Sequence, residues 1–248
     1  MKKVQRREKI VELIVDARQR TLALIDGLSD TELIGPKLPT VNPLLWEIGH
    51  VAYFYEFFIL RKKFGEPSIL GTLADTVYDS INVHHDTRWD LPLLNYEDTL
   101  KYMLEVQNLI IEKLNNNKLT SEISFAYLFG IFHEDMHTEA FFWEMQTLGY
   151  KKPNFMHDQP RSNQADPSIS LGFTDIPGGQ FAVGSFDQED FCFDNEKWGY
   201  IADVEPFSIG CATITNYEFL QFVEDNGYEY DEFWCSEGLK WRNITGRR

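Results

Sequence analysis

His-Glu-Asp-Met-His, residues 133–137, lies inside the apolar and aromatic stretch SEISFAYLFGIFHEDMHTEAFFWEMQTL, residues 121–148. On a helix, histidines four residues apart point the same way, the second rotated only ~40° and displaced ~6 Å along the axis. Both imidazoles then reach one metal ion. The run also spells H-E-x-x-H, the signature of zinc proteases. The same geometry tests each acidic neighbour as a ligand. Glu139 falls ~140° from the centre of the histidine face and Asp135 lies opposite, while Glu134 sits ~80° off, at the flank. Glu144 returns to the face but ~10 Å beyond His137, a position that suits a cavity wall. The helix therefore supplies two ligands, and Glu134 reads as incidental to them.

Outward from this helix, three more amphipathic segments complete a four-helix pattern. Ile10, Leu13, Ile14, Ala17, Leu24 and Ile25 mark the first at helical spacing. The second opens at Asn42-Pro43, read as a cap residue followed by proline at the first helical position. It carries Trp46, His50, Tyr53, Phe54 and Phe57 on one stripe. The third begins near Asn95, shows Leu100, Met103, Leu104, Gln107, Ile110, Ile111 and Leu114, and ends in Asn115-Asn116-Asn117. Gly149 is placed to end the fourth. The connection over 65–95 is too long for a plain turn, and such loops often carry function.

Composition shifts after Tyr150. Residues 151–170 are rich in Pro, Asn, Gln, Asp and Ser and read as a linker. From Leu171 the pattern becomes short alternating runs broken by glycine, with one helical stretch over 216–224 led by Thr213 and Thr215. The expected fold is thus multi-domain: an all-α four-helix bundle over 1–150, a linker over 151–170, and an α+β region over 171–248.

Composition excludes several classes. The 248 residues carry a formal charge of −16, and no Lys/Arg cluster forms a phosphate-binding patch, so nucleic acid is not an expected partner. No stretch approaches the ~18 apolar residues of a membrane span, and the N-terminus has no apolar signal core. Cys192, Cys211 and Cys235 lack close spacing and read as reduced thiols, so a cytoplasmic location is expected.

A third ligand must come from another helix, and His50 is the candidate: it is read as the one strongly polar residue on the stripe of the second helix. Burying several imidazoles without partners is costly, whereas a shared ion satisfies all three. A site of His50, His133 and His137 is the reading favoured over three separate core histidines. Three neutral nitrogens leave open positions that suit either Fe(II) with O2 and a substrate or Zn(II) with a water. The protease reading lacks its context, because Gly149 and a polar linker follow where a gluzincin needs a further helical Glu. A metzincin would need Gly and His where Ala140 and Trp143 stand. His157 reads as a solvent-exposed linker residue, and His84 and His85 as loop residues. In the same loop Arg88 either clamps a carboxylate bidentately or pairs with Asp86 or Asp90.

The lone helix-2 histidine, the loop His85-Asp-Thr-Arg-Trp-Asp-Leu-Pro-Leu93 and His133-x-x-x-His137-x-Glu139 together resemble the DinB-like domain of the ergothioneine-biosynthesis sulfoxide synthases. Ile176-Pro-Gly-Gly-Gln-Phe181, Val204-Glu-Pro-Phe-Ser-Ile209, Thr213-Ile-Thr-Asn-Tyr-Glu-Phe219 and Trp234-Cys-Ser-Glu-Gly-Leu-Lys-Trp241 resemble the start of a formylglycine-generating-enzyme-like (sulfatase-modifying factor) domain of C-type-lectin-like type. The resemblance implies non-haem Fe(II) held by His50, His133 and His137, and an iron-dependent oxidoreductase of the hercynylcysteine S-oxide synthase type. It implies coupling of a thiol, γ-glutamylcysteine or cysteine, to the imidazole C2 of hercynine with O2 as oxidant. It also places Arg88 in the loop that holds the thiol's carboxylates. The family's catalytic tyrosine falls beyond Arg248, so no catalytic residue is assigned. The remaining half of the second domain is expected on a separately encoded chain if the enzyme is split. The competing expectations are a zinc-dependent hydrolase or thiol transferase on a DinB-like bundle, and a non-catalytic metal-binding remnant. Histidine in place of hercynine, and a selenium-transferring relative, also stay open.

Overall fold

The computed structural model of the protein describes residues 3–155, 172–186 and 191–246. These divide into two compact units: residues 3–155 with 191–193, and residues 172–186 with 194–246. Most of the linker expected over 151–170, His157 included, lies outside the described residues.

The first unit is helical. α1 (Lys3–Ile25) buries Ile10, Ile14, Ala17, Leu24 and Ile25, the stripe its periodicity indicates. A short α2 (Asp30–Ile34), not foreseen from the pattern, is set by a capping box between Ser29 and Glu32. α3 (Leu44–Tyr55) continues through a π-helical turn (Glu56–Arg61) into α4 (Lys62–Phe64). All of α3 except Phe54 is buried, because α5 (Thr72–Tyr78), α6 (Tyr96–Asn116) and α7 (Ser121–Leu148) pack around it. α6 starts on an Asn95 cap and α7 on a Thr120 cap; Gly149 ends α7 with a left-handed φ of 69°.

Three sequence expectations change here. Asn42 does not cap α3: Pro43 holds the N-cap position without a side-chain bond, and the Asn42 amide is engaged elsewhere, as described below. The buried face of α6 is rotated from the expected stripe, with Tyr102 and Val106 inside and Leu104 58% exposed. His50 is not the only polar residue buried along this helix, since Glu47 and Glu56 are buried too.

Two glycines set the close approaches. A Cβ on Gly49 would lie 2.3 Å from the Tyr78 ring, and one on Gly130 would lie 2.5 Å from the Tyr55 ring. Only hydrogen at these positions lets α5 and α7 close onto α3. The connection over 65–95 is ordered rather than loose. It holds α5 and a 3-10 turn (His85–Asp90). It is anchored by a bidentate Arg61–Asp75 pair at 2.7 and 3.0 Å and by a Trp46 Nε1 bond to the Val77 carbonyl at 2.7 Å.

In the second unit β1 (Phe173–Ile176) pairs antiparallel with β4 (Phe207–Gly210), and β2 (Gly179–Val183) with β3 (Tyr200–Val204). α8 (Asn216–Glu224) is capped by Thr215 with a Thr215/Glu218 capping box, and α9 (Ser236–Thr245) follows. No described strand residue here is fully buried. Phe173 is 78% and Ile209 54% exposed.

Candidate metal centre

Helix α3 presents His50 and helix α7 presents His133 and His137 to one point. The potential ligand atoms of the three all lie within 4.8 Å of one another. His50 Nε2 and His133 Nε2 are 3.3 Å apart. Nitrogens about 2.1 Å from a shared ion, at right angles to tetrahedral angles, stand about 3.0–3.4 Å from one another. The observed pair already has that spacing.

The donor chemistry fits as well. α5 ends at Tyr78, whose carbonyl has no helical partner at that terminus, and His50 Nδ1 donates to it at 2.7 Å. That bond places the His50 lone pair on Nε2, toward the other two histidines. Burial, then the neighbouring His137, lowers the His50 pKa to about 3. Burial, then His137 and His50, also holds His133 well below the usual imidazole range. Both rings are neutral donors at neutral pH. Aromatic rings fix their planes: Trp46 stacks on His50 at 4.8 Å and Phe54 on His133 at 3.6 Å. The Nδ1 atoms of His133 and His137 are buried without a hydrogen-bond partner.

No carboxylate of α7 joins the cluster. Glu139 is exposed, and Asp135 pairs with Arg20 at 2.8 Å. Glu134 is off the ligand face, as helical geometry indicates, but it is not incidental. It is fully buried, accepts from Arg18 Nε at 2.8 Å and from Thr21 Oγ1 at 2.9 Å, and so ties α1 to α7. A zinc-protease base would have to face the metal, and this carboxylate faces the opposite helix.

Arg88 pairs with neither Asp86 nor Asp90. Its guanidinium lies 3.8 Å over the Trp46 ring, Nη1 donates to Asn42 Oδ1 at 2.6 Å, and Nη2 makes only a long 3.5 Å bond to the Val83 carbonyl. Burial lowers its pKa, against the Glu47 and Glu144 charges that raise it. His85 bonds the Val41 carbonyl and His84 is exposed.

Of the two carboxylates beside the cluster, sequence reasoning placed Glu144 on the histidine face as a cavity wall and missed Glu47. Glu47 and Glu144 are both buried. Asn42 bridges them: Nδ2 donates to Glu47 Oε1 at 2.6 Å, while its backbone N and Nδ2 donate to Glu144 Oε1 at 2.9 and 3.3 Å. Burial, then the Glu47 charge, raises Glu144 to about 9. The overlooked signal is spacing: Glu47 precedes His50 by three residues, so the two share one face of α3.

The model of the DinB superfamily matches residues 13–141, and that of the sulfatase-modifying factor enzyme 1-like domain matches residues 159–248. The chain is 29% identical over 245 residues to a hercynine oxygenase of Mycolicibacterium smegmatis, covering 97% of this chain and 56% of that one. It is 28% identical over 261 residues to a hercynine oxygenase of Mycolicibacterium thermoresistibile, covering 98% and 54%. A formylglycine-generating enzyme of Thermomonospora curvata is 34% identical over 79 residues, covering 32% of this chain and 25% of that one. The chain thus spans about half the length of the hercynine oxygenases it matches.

Proposed function

We propose, from the premise that this chain belongs to the DinB superfamily, that it holds Fe(II) on His50, His133 and His137. The iron would serve an O2-dependent sulfoxide synthase that joins a thiol, γ-glutamylcysteine or cysteine, to C2 of hercynine. The convergence of three imidazole donors, with the His50 lone pair set toward the others, carries the reading. Its relatives are named hercynine oxygenases, and that name supports the substrate. When bound, the ion would supply open coordination positions and the electrons for O2 chemistry. The chain's own residues bind and orient. Tyr78 sets the His50 tautomer, and Trp46 and Phe54 hold the ring planes. Arg88, stacked on Trp46 beside the site, offers a guanidinium to the carboxylate of the thiol substrate.

The apolar strand faces of the second unit favour completion by further polypeptide of the sulfatase-modifying-factor type, in the same chain or a separate one. Isolated two-stranded ribbons are marginal in water, and here their apolar side chains are open to solvent. Cys192, Cys211 and Cys235 are unpaired, which favours a reducing cytoplasm. Among the described residues no helix is long and apolar enough to cross a membrane.

Anaerobic titration of the metal-free chain with Fe(II) tests the site. One equivalent is expected to bind, and the His50→Ala/His137→Ala double variant is expected to lose it. Unchanged affinity in the double variant overturns the site. O2 uptake with hercynine plus thiol is then expected from the completed enzyme. A zinc hydrolase or transferase on the same donors would consume no O2.

A further inference from the structure

We infer that Glu47 is a positioning residue for His137, holding its imidazole in the tautomer whose Nε2 faces His50 and His133. The inference rests on the metal-site reading above and adds a residue outside the ligand set. Glu47 and His50 are three residues apart on α3, so both leave the helix on one face. One carboxylate oxygen of Glu47 is taken by Asn42 Nδ2 at 2.6 Å. The other, Oε2, is buried with no hydrogen-bond partner and lies 3.4 Å from His137 Nδ1, which is equally buried and unpartnered. One atom can only accept and the other can donate. They satisfy each other when Nδ1 carries the ring proton, and a small rotation of either side chain closes the gap.

With its proton committed to Glu47, His137 keeps its lone pair on Nε2, as His50 does through the Tyr78 carbonyl. Two ligands on two helices are then oriented by different acceptors, a carboxylate and a main-chain carbonyl. Glu47 is itself held. Asn42 fixes its far oxygen and accepts from Arg88 Nη1 through its own Oδ1. Arg88, Asn42, Glu47 and His137 therefore form one chain of polar contacts from the 3-10 turn to the ligand cluster. The freeing of Asn42 from helix capping makes this possible.

Nitrogen-detected NMR of the metal-free protein reads which ring nitrogen of His137 carries the proton. The expected result is Nδ1–H in the wild type and its loss in Glu47→Ala. Zn(II) competition with a chromophoric chelator gives the second readout, with Glu47→Ala weakening binding about 10–100-fold. Glu47→Gln, which keeps an acceptor oxygen, is expected to recover most of that loss. Glu56→Gln is the structural control, because that buried carboxylate serves Tyr102 instead; it should leave Zn(II) affinity unchanged. If Glu47→Ala does not fold, Glu47→Met, similar in volume and without an acceptor, is expected to show the same losses. An Nε2–H tautomer of His137 in the wild type overturns the inference, and so does wild-type Zn(II) affinity in a folded Glu47→Ala or Glu47→Met. A wild type that binds no metal overturns the site reading alone, because the tautomer is read without metal.

Discussion

Replacing Glu134 by alanine separates its two readings, a catalytic base in a zinc-protease signature and a structural strut between α1 and α7. Arg18 is 5% and Glu134 0% exposed at the side chain, and they meet at 2.8 Å. Removing the carboxylate leaves a buried guanidinium that keeps its bond to the Met103 carbonyl at 2.8 Å, with no opposite charge. Breaking one side of a buried pair costs about 3–5 kcal/mol. At roughly 2–4 °C per kcal/mol for a chain of this size, the bundle should melt roughly 6–20 °C lower. The paired replacement Arg18→Met/Glu134→Leu removes both charges and keeps the volume, so it should lie within about 1 kcal/mol of wild type or above it. Thermal unfolding followed by far-ultraviolet circular dichroism measures both. Zn(II) affinity of the folded variant, measured well below its melting temperature, should stay within about threefold of wild type, because Glu134 faces Arg18 and Thr21. A Glu134→Ala protein that melts like the wild type yet loses metal or turnover would refute the strut and restore the base.

Gly49→Ala should loosen α5 from α3, since the added Cβ would stand 2.3 Å from the Tyr78 ring; overpacking of this kind costs about 1–3 kcal/mol. Metal affinity should fall with it, because Tyr78 carries the carbonyl that orients His50; a variant with lowered stability but intact Zn(II) affinity would disconnect the two. For Asp75, the Arg61 guanidinium, assisted by the Tyr53 hydroxyl, holds the carboxyl below the usual range. A depressed folded-state pKa stabilises fully above the unfolded value near 4 and fades as pH falls through the folded one. Asp75 is 43% exposed, so solvent screens the pair and the slope is shallow. Asp75→Asn should flatten the acid-side fall of melting temperature below about pH 4, and an unchanged profile would contradict it.

The long helices were legible because their burial follows their period. Ile10, Ile14 and Ala17 recur at helical spacing and all three are buried. Asn95 and Gly149 mark ends by their own chemistry, a side-chain acceptor and tolerance of positive φ. α3 was less legible because it is buried on nearly every side, and a helix enclosed all round loses its contrast between faces. Glu47 and Glu56 could then sit inside unnoticed among apolar neighbours. The Asn42-Pro43 pair misled for a local reason. Proline's fixed φ suits N-cap as well as the first helical position, and one step of register frees the asparagine side chain.

The candidate site divides along the same line. Two histidines four apart define a face, and any third donor aimed at that face is a fair inference from helix geometry alone. What their spacing leaves open is which ring nitrogen each presents, because the acceptor that decides lies on another element. For His50 the acceptor is the final carbonyl of α5, exposed because the helix stops at Tyr78. For His137 it is a carboxylate on α3 facing the ring from 3.4 Å. H-E-x-x-H therefore describes only half of a site in this bundle. Its glutamate is turned to α1 by Arg18, and the carboxylate that faces His137 comes from a different helix. The ligand positions are local in sequence, whereas the atoms that orient them are set by tertiary packing.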